Sequence, residues 1–218
     1  FCSIQEAIDD PDTLSGHTIS VGPGIYEEDV NVNKSLTLQG AGPASTTIRG
    51  VIGGDGATVR VGASNVTIAG FTITRQGNNT TDWNNAGLNF TGIAVQGAST
   101  GMTVRDNILT GNRTAIDINN SSGHTIRNNE LTFNRTGLLM RNQTDNLVVV
   151  ENKITDNWTM GVLFLDASSG TNSPVQTALN STFSNNDISG NWYGQIVDRQ
   201  SGGSLPTPGT TNLKDFSG

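Results

Sequence analysis

Apolar and polar residues alternate along this chain in short runs, and the runs recur. Thr103-Val-Arg, Thr125-Ile-Arg, Val148-Val-Val and Thr182-Phe-Ser begin four copies of one pattern. Ile108-Leu-Thr, Glu130-Leu-Thr, Lys153-Ile-Thr and Asp187-Ile-Ser follow them, each after an Asn. A third run comes next: Ile93-Ala-Val, Ile116-Asp-Ile, Leu138-Leu-Met, Val162-Leu-Phe and Gln195-Ile-Val. Alternation with a period of two is the signature of half-buried strands. Earlier strands are expected around Thr18–Val21, Val30–Val32 and Leu36–Leu38. A helix is expected only over 3–10, where Ser3 and Glu6 form a capping box and Pro11 ends the run.

Superposing the copies puts Asn107, Asn129, Asn152 and Asn186 in one column, and Asn112, Asn134, Asn157 and Asn191 in another. Both columns are spaced by 22, 23 and 34 residues. Thr67 to Thr74 is a fifth copy with Phe71 at the first Asn position. A period near 22 built from short strands predicts a parallel β-solenoid, in which neighbouring coils bury each other's inner faces. About eight coils at roughly 4.8 Å give a rod roughly 40 Å long. The Asn columns are expected to be ladders that satisfy the turn backbone and the Asn of the next coil. The chain is expected to be one domain, 1–218, with coils over 17–200. Residues 201–218 form a Gly/Pro/Thr-rich tail or the start of a further, truncated coil. Two insertions break the spacing, at about 75–91 and 166–179.

Composition then acquires a reason. Only 33% of residues are hydrophobic and 14% charged, while 27 are Gly and 25 are Asn. A narrow rod needs thin apolar columns, Gly turns and inward Asn, whereas a helical bundle would need Ala, Leu, Glu and Lys. No apolar run approaches the length of a membrane span. A net charge of −7 argues against nucleic acid, which requires a basic face. Cys2 is the single cysteine, so no disulfide forms within the chain. The acidic, Lys-poor, Asn/Thr-rich composition and a start at Phe1 rather than Met suggest a processed or trimmed chain, extracellular or at the cell surface. Asn-x-Ser/Thr triplets abound, several of them on the ladder asparagines.

These motifs resemble the right-handed parallel β-helix repeats of the pectin-lyase-like superfamily, in particular its carbohydrate-binding and sugar-hydrolase class. The resemblance spans nearly the whole chain and implies a right-handed, single-stranded, all-β solenoid. The opening residues are similar to those of pectin methylesterases, including Gly24-Ile25-Tyr26-Glu27-Glu28. The catalytic words of those esterases and of polygalacturonases are absent from the sequence, and the fold alone confers no activity.

Candidate chemistry therefore has to come from the columns. Asp106 and Glu151 flank Asn128 in one column, roughly 9–10 Å apart, a separation compatible with a glycosidase pair. Nothing beside them marks a sugar subsite. Glu130, Lys153 and Asp187 suggest a ladder of exposed ion pairs, each stabilising by about 1 kcal/mol at most. Arg105 and Arg127 stack on an outward face and keep a lyase open. His17 and His124 lie on different coils, without the spacing of a zinc site. No cofactor is indicated, and calcium is compatible but not called for.

The column after the second Asn holds Arg113, Arg135, Trp158 and Trp192. Indole faces stack on sugar rings and guanidinium groups bond acidic sugars. The alternative is a turn ladder with Arg135 against Trp158 as a cation–π pair. Trp83, in the first insertion, enters at the same corner. These five residues are the candidate carbohydrate-binding set. The expected function is a non-catalytic extracellular module that binds polysaccharide or cell-surface glycan, or a structural element of the surface. The alternatives are a self-assembling surface-layer or filament subunit, associating through open β-helix ends, and an acidic-polysaccharide lyase or glycoside hydrolase.

Overall fold

The computed structural model describes residues 1–53, 56–77, 90–166, 177–200 and 214–215. Within them the chain winds as a right-handed parallel β-helix. One coil illustrates the rest. Thr103–Arg105 lies in a first sheet, Ile108–Thr110 in a second and Thr114–Asn119 in a third. The corner between strands in the first and second sheets is two residues, Asp106 and Asn107, and the next is three, Gly111 to Arg113. Among the described residues the first sheet has eight strands and the others seven each, all paired in parallel. The eighth strand of the first sheet, Lys214–Asp215, pairs with Ser181–Ser184.

Register stacks like on like. Val104 lies between Ile68 and Ile126, Leu109 between Ile73 and Leu131, and Ile116 between Ile93 and Leu138. All nine are fully buried. Each such side chain stabilises the stack by about 1.5–3 kcal/mol relative to exposure. Because a strand's side chains alternate faces, a one-residue slip would turn these columns outward, so the apolar pattern fixes the register.

The two Asn columns are ladders. Asn129 Nδ2 donates to the carbonyl oxygens of Val104 (2.9 Å) and Arg127 (3.0 Å) and to Asn152 Oδ1 (3.0 Å). Its Oδ1 accepts from the Asn107 backbone N–H at 3.1 Å. The second ladder repeats this at Asn134, which donates to Leu109 O, Thr132 O and Asn157 Oδ1. Phe71 occupies the first ladder's next position with its backbone, whose N–H donates to Asn107 Oδ1. Gln195 Oε1 takes the place of the next rung after Asn191, at 2.7 Å. Corners without inward amides would leave such buried carbonyls unpaired.

The N-terminal helix, Ile4–Asp9, has both bonds of the Ser3–Glu6 capping box. Its Ile4, Ala7 and Ile8 are buried over the first coil. Two contacts not legible from local pattern hold it. Glu28, from the Gly-x-Tyr-x-Glu turn, accepts from the N–H groups of Ile4 and Gln5 at 2.8 and 2.9 Å. Lys34 Nζ donates to the carbonyls of Ile8, Asp10 and Thr13. Both ends of the helix thus have charged partners that complement its dipole.

Candidate functional site

The corner from the second sheet to the third is built from three stacked columns. The residue after each second-sheet strand is left-handed: Gly111, Phe133, Asp156 and Gly190, with φ of 67°, 54°, 55° and 66°. The inward ladder Asn follows, and then Arg113, Arg135, Trp158 and Trp192. Backbone bonds lock the last column in register, Trp158 N–H to Asn134 O at 2.7 Å and Trp192 N–H to Asn157 O at 3.1 Å.

Trp158 and Trp192 stack on each other, centroids 6.1 Å apart and planes 16° from parallel. With Phe133, Asn134, Asp156, Asn157 and Gly190 they line a groove of about 370 Å³. Phe133 is 63% exposed and Trp158 48%. Both lie between coils on either side, so their exposure comes from the corner itself. A left-handed backbone costs a residue with a Cβ roughly 1–2 kcal/mol, and Phe133 recovers little of this by burial. Gly190 keeps the floor open: a Cβ there would meet Asp156 Oδ1 at 2.5 Å.

The sequence-predicted residues separate into two groups. Trp158 and Trp192 come together in the groove. Arg135 and Arg113 lie one and two coils away from Trp158, half-buried, and neither has a salt bridge or side-chain hydrogen bond among the described residues. Burial, and then the neighbouring Arg113 charge, pull the pKa of Arg135 down. The Arg135–Trp158 cation–π pair of the alternative reading is not formed, and Trp158 instead stacks on Trp192. A cation–π contact occurs instead at Arg75, 4.7 Å from the Phe90 ring centroid. Trp83 lies outside the described residues. Sequence reasoning missed Phe133, Asp156 and the 71% exposed Tyr193. Phe133 was detectable in principle, as an aromatic residue in a column otherwise made of Gly and Asp.

The corner between the first and second sheets carries a second groove, about 360 Å³, lined by Asp106, Asn128, Glu130, Glu151 and Lys153 among others. Asp106 bonds Arg105 and Asn128 Nδ2, each at 2.6 Å. Burial pushes its carboxyl pKa up, but the Asn128 and Arg105 bonds outweigh this and hold it below its ordinary value. Asp106 is therefore fixed as an anion rather than poised as a proton donor. The predicted ion-pair column has one rung, Lys153 to Glu130 at 3.2 Å. Asp187 instead accepts from the Ser189 hydroxyl at 2.6 Å.

Among the described residues no group of three His, Cys, Asp or Glu side chains could hold a metal ion. His17 Nδ1 accepts from the Leu14 N–H at 3.2 Å. His124 is fully buried, with Nδ1 accepting from the Met102 N–H at 3.1 Å and Nε2 2.8 Å from Ser121 Oγ. Met102 and Met140 are core residues.

Comparison with known proteins places this arrangement. A cell surface glycoprotein of Methanothermus fervidus is 43% identical over 98 residues, which are 45% of this chain and 16% of that protein. The chain thus spans only a small part of that relative's length. The catalytic domain of a GH87 α-1,3-glucanase in complex with tetrasaccharides superposes with a TM-score of 0.65 at 15% identity, over 99% of this chain and 37% of that one. Pectin methylesterase PemA from Erwinia chrysanthemi gives 0.52 at 13% identity, over 98% and 88%. At such identities the likeness is one of fold. The family described as periplasmic copper-binding protein (NosD) matches residues 13–195. The described residues assemble no copper donor set: His124 is buried with both ring nitrogens bonded, His17 lies on another coil, and the thioethers of Met102 and Met140 face the core. The match nevertheless runs from ahead of the first strand to just past Trp192, and the chain belongs to the NosD family.

Proposed function

We propose that the chain is a non-catalytic carbohydrate-binding module of a cell-surface or secreted protein, with its site in the groove of Phe133, Trp158 and Trp192. One observation carries this reading. Phe133 holds a bulky, exposed ring in a backbone conformation that disfavours it, directly across a stacked indole pair and above a carboxylate. Packing does not account for that choice; an aromatic wall for a sugar ring does. The exposed rings supply apolar area for the C–H faces of a pyranose. Asp156 accepts from sugar hydroxyls, and Arg113 and Arg135 extend a cationic margin toward acidic residues of a longer chain. A surface location is supported by the relative described as a cell surface glycoprotein and by a family described as periplasmic. We read residues 1–218 as one solenoid domain. A hydrolase reading is weaker, since the groove that holds Asp106 and Glu151 has no aromatic residue in its lining to seat a sugar ring.

The test is titration of the chain with defined polysaccharides, neutral glucans and uronic-acid polymers in parallel, followed by tryptophan fluorescence. Saturable change with at least one polymer, abolished in Trp158→Ala, is expected. A flat response to every polymer, with product formation absent, sinks the binding reading; release of reducing ends or unsaturated product replaces it with an enzyme.

A further inference from the structure

The third corner, which returns the chain from the third sheet to the first, has a property that the other two lack among the described residues. Asn33, Asn65, Asn120 and Asn180 stand there on successive or nearby coils, and all four are exposed. Each opens an Asn-x-Ser/Thr triplet, completed by Ser35, Thr67, Ser122 and Thr182. Asn65, Asn120 and Asn180 adopt left-handed turns, with φ of 57°, 50° and 52°. The corner stacks as one edge: Ser35 Oγ donates to Ser64 O at 2.7 Å, and the Asn65 N–H to Thr100 O at 2.8 Å. None of the four side-chain amides makes a hydrogen bond among the described residues.

The triplets at the second corner differ in the one respect that matters for modification. Asn112, Asn134 and Asn157 are 0%, 0% and 1% exposed, and each amide nitrogen donates to a core carbonyl. Their triplets arise because each of these ladder Asn happens to stand two residues before a Thr at the entry to a third-sheet strand. Asn142, which follows a third-sheet strand and so also stands at the third corner, is half-buried and donates to Asn119 Oδ1 at 2.8 Å, which sets it apart from the four exposed amides. Identical sequence words thus divide by burial into bonded amides, including every ladder rung, and exposed amides that all stand on the third corner.

We propose that the third corner is the glycan-bearing edge of the molecule, N-glycosylated at Asn33, Asn65, Asn120 and Asn180. The co-reactant is an oligosaccharide linked through phosphate to a lipid. The Asn amide nitrogen attacks the anomeric carbon, an N–C bond forms, the C–O bond to phosphate breaks, the amide proton is lost and the lipid phosphate departs. No electron transfer is involved. The sugar would be bulky and solubilising. Its placement leaves the aromatic groove at the second corner bare.

Glycopeptide mass spectrometry on the protein isolated from its source cells tests this. Sugar mass is expected on the four third-corner asparagines and none on Asn112, Asn134 or Asn157. Asn65→Gln, and independently Thr67→Ala, which keeps the asparagine but removes the triplet, are each expected to delete one glycan. Both should move Tm by no more than about 2 °C once the sugar is removed, because neither side chain makes a hydrogen bond among the described residues. Sugar at fewer than three of the four sites, or at any ladder asparagine, overturns the proposal.

Discussion

Trp158 and Trp192, 34 residues apart in sequence, stack at 6.1 Å with planes 16° from parallel, across a single coil boundary. The 34-residue spacing includes the second insertion, yet the strands on either side of it, Met160–Asp166 and Ser181–Ser184, keep the register of the coils. The Asn157–Asn191 rung directly beneath, Nδ2 to Oδ1 at 2.9 Å, secures that register. The groove and the ladder are therefore one construction, with the amides inside setting the rings outside.

Phe133 separates binding from stability. Phe133→Gly relieves the left-handed strain but adds unfolded-state entropy, so its effect on stability should be small, roughly 0–1 kcal/mol in the stabilising direction. Affinity for the polysaccharide should fall by about tenfold or more, with the loss of one aromatic wall. Thermal melts and fluorescence titration of the same preparation check both. A large loss of stability would show that the ring serves packing instead.

Removing one interior ladder rung should be costly. Asn129→Ala leaves the Val104 and Arg127 carbonyls, the Asn107 N–H and Asn152 Oδ1 short of partners, and opens a cavity. We expect a loss of about 2–5 kcal/mol. Asn186→Ala, at a half-buried rung reachable by water, should cost clearly less, about 1 kcal/mol. Urea unfolding midpoints rank the two, and equal losses would argue against a ladder that gains strength from burial.

Arg75 and Asp29 form a buried pair, 2.9 Å apart, that ties the first coils together over 46 positions. Arg75 also bonds Thr58 Oγ1 and the Val51 carbonyl, and it lies close over Gly50, where a Cβ would come within 2.6 Å of Nη1. Asp29→Ala strands the guanidinium in the interior and should destabilise by about 3–5 kcal/mol. Combining it with Arg75→Met should recover part of that loss, because no unpaired charge remains. Thermal unfolding of the two variants decides this, and a double variant no better than the single would contradict it.

His124 gives the fold a pH dependence. Its Nδ1 accepts from Met102, so the proton sits on Nε2 and is donated to Ser121 Oγ, whose hydroxyl in turn reaches the Ser99 carbonyl. Burial lowers the pKa from 6.5 to about 4. The unfolded chain takes up a proton below pH 6.5 and the folded chain does not until about 4. The contribution is thus fully present above pH 6.5 and is lost as pH falls through that window, by roughly 3 kcal/mol at its lower end. Urea midpoints measured from pH 7 to 4.5 should decline more steeply for the native chain than for His124→Asn. Parallel slopes would remove His124 as the cause.

The sequence by itself determined the coil. Each copy carries its own alternation and its own inward Asn, and a solenoid coil contacts chiefly its neighbours. Local pattern and nearest-neighbour register are then the same information, which is why Asn107 to Asn186, Asn112 to Asn191 and the apolar columns were legible. So was the capping helix, whose Ser3–Glu6 box is a signal only four residues long. Tertiary structure alone decided what the columns do at their outer ends. It chose a Trp158–Trp192 stack over an Arg135–Trp158 pair, and it brought Phe133 and Asp156 to the same groove. It also joined Arg75 to Asp29 and Lys34 to the helix carbonyls, and it sorted identical Asn-x-Thr words into buried rungs and exposed acceptors. The physical reason is that period and alternation specify which face a residue occupies. How far its side chain reaches, which neighbour it meets there and how much water remains depend on the three-dimensional shape of the corner.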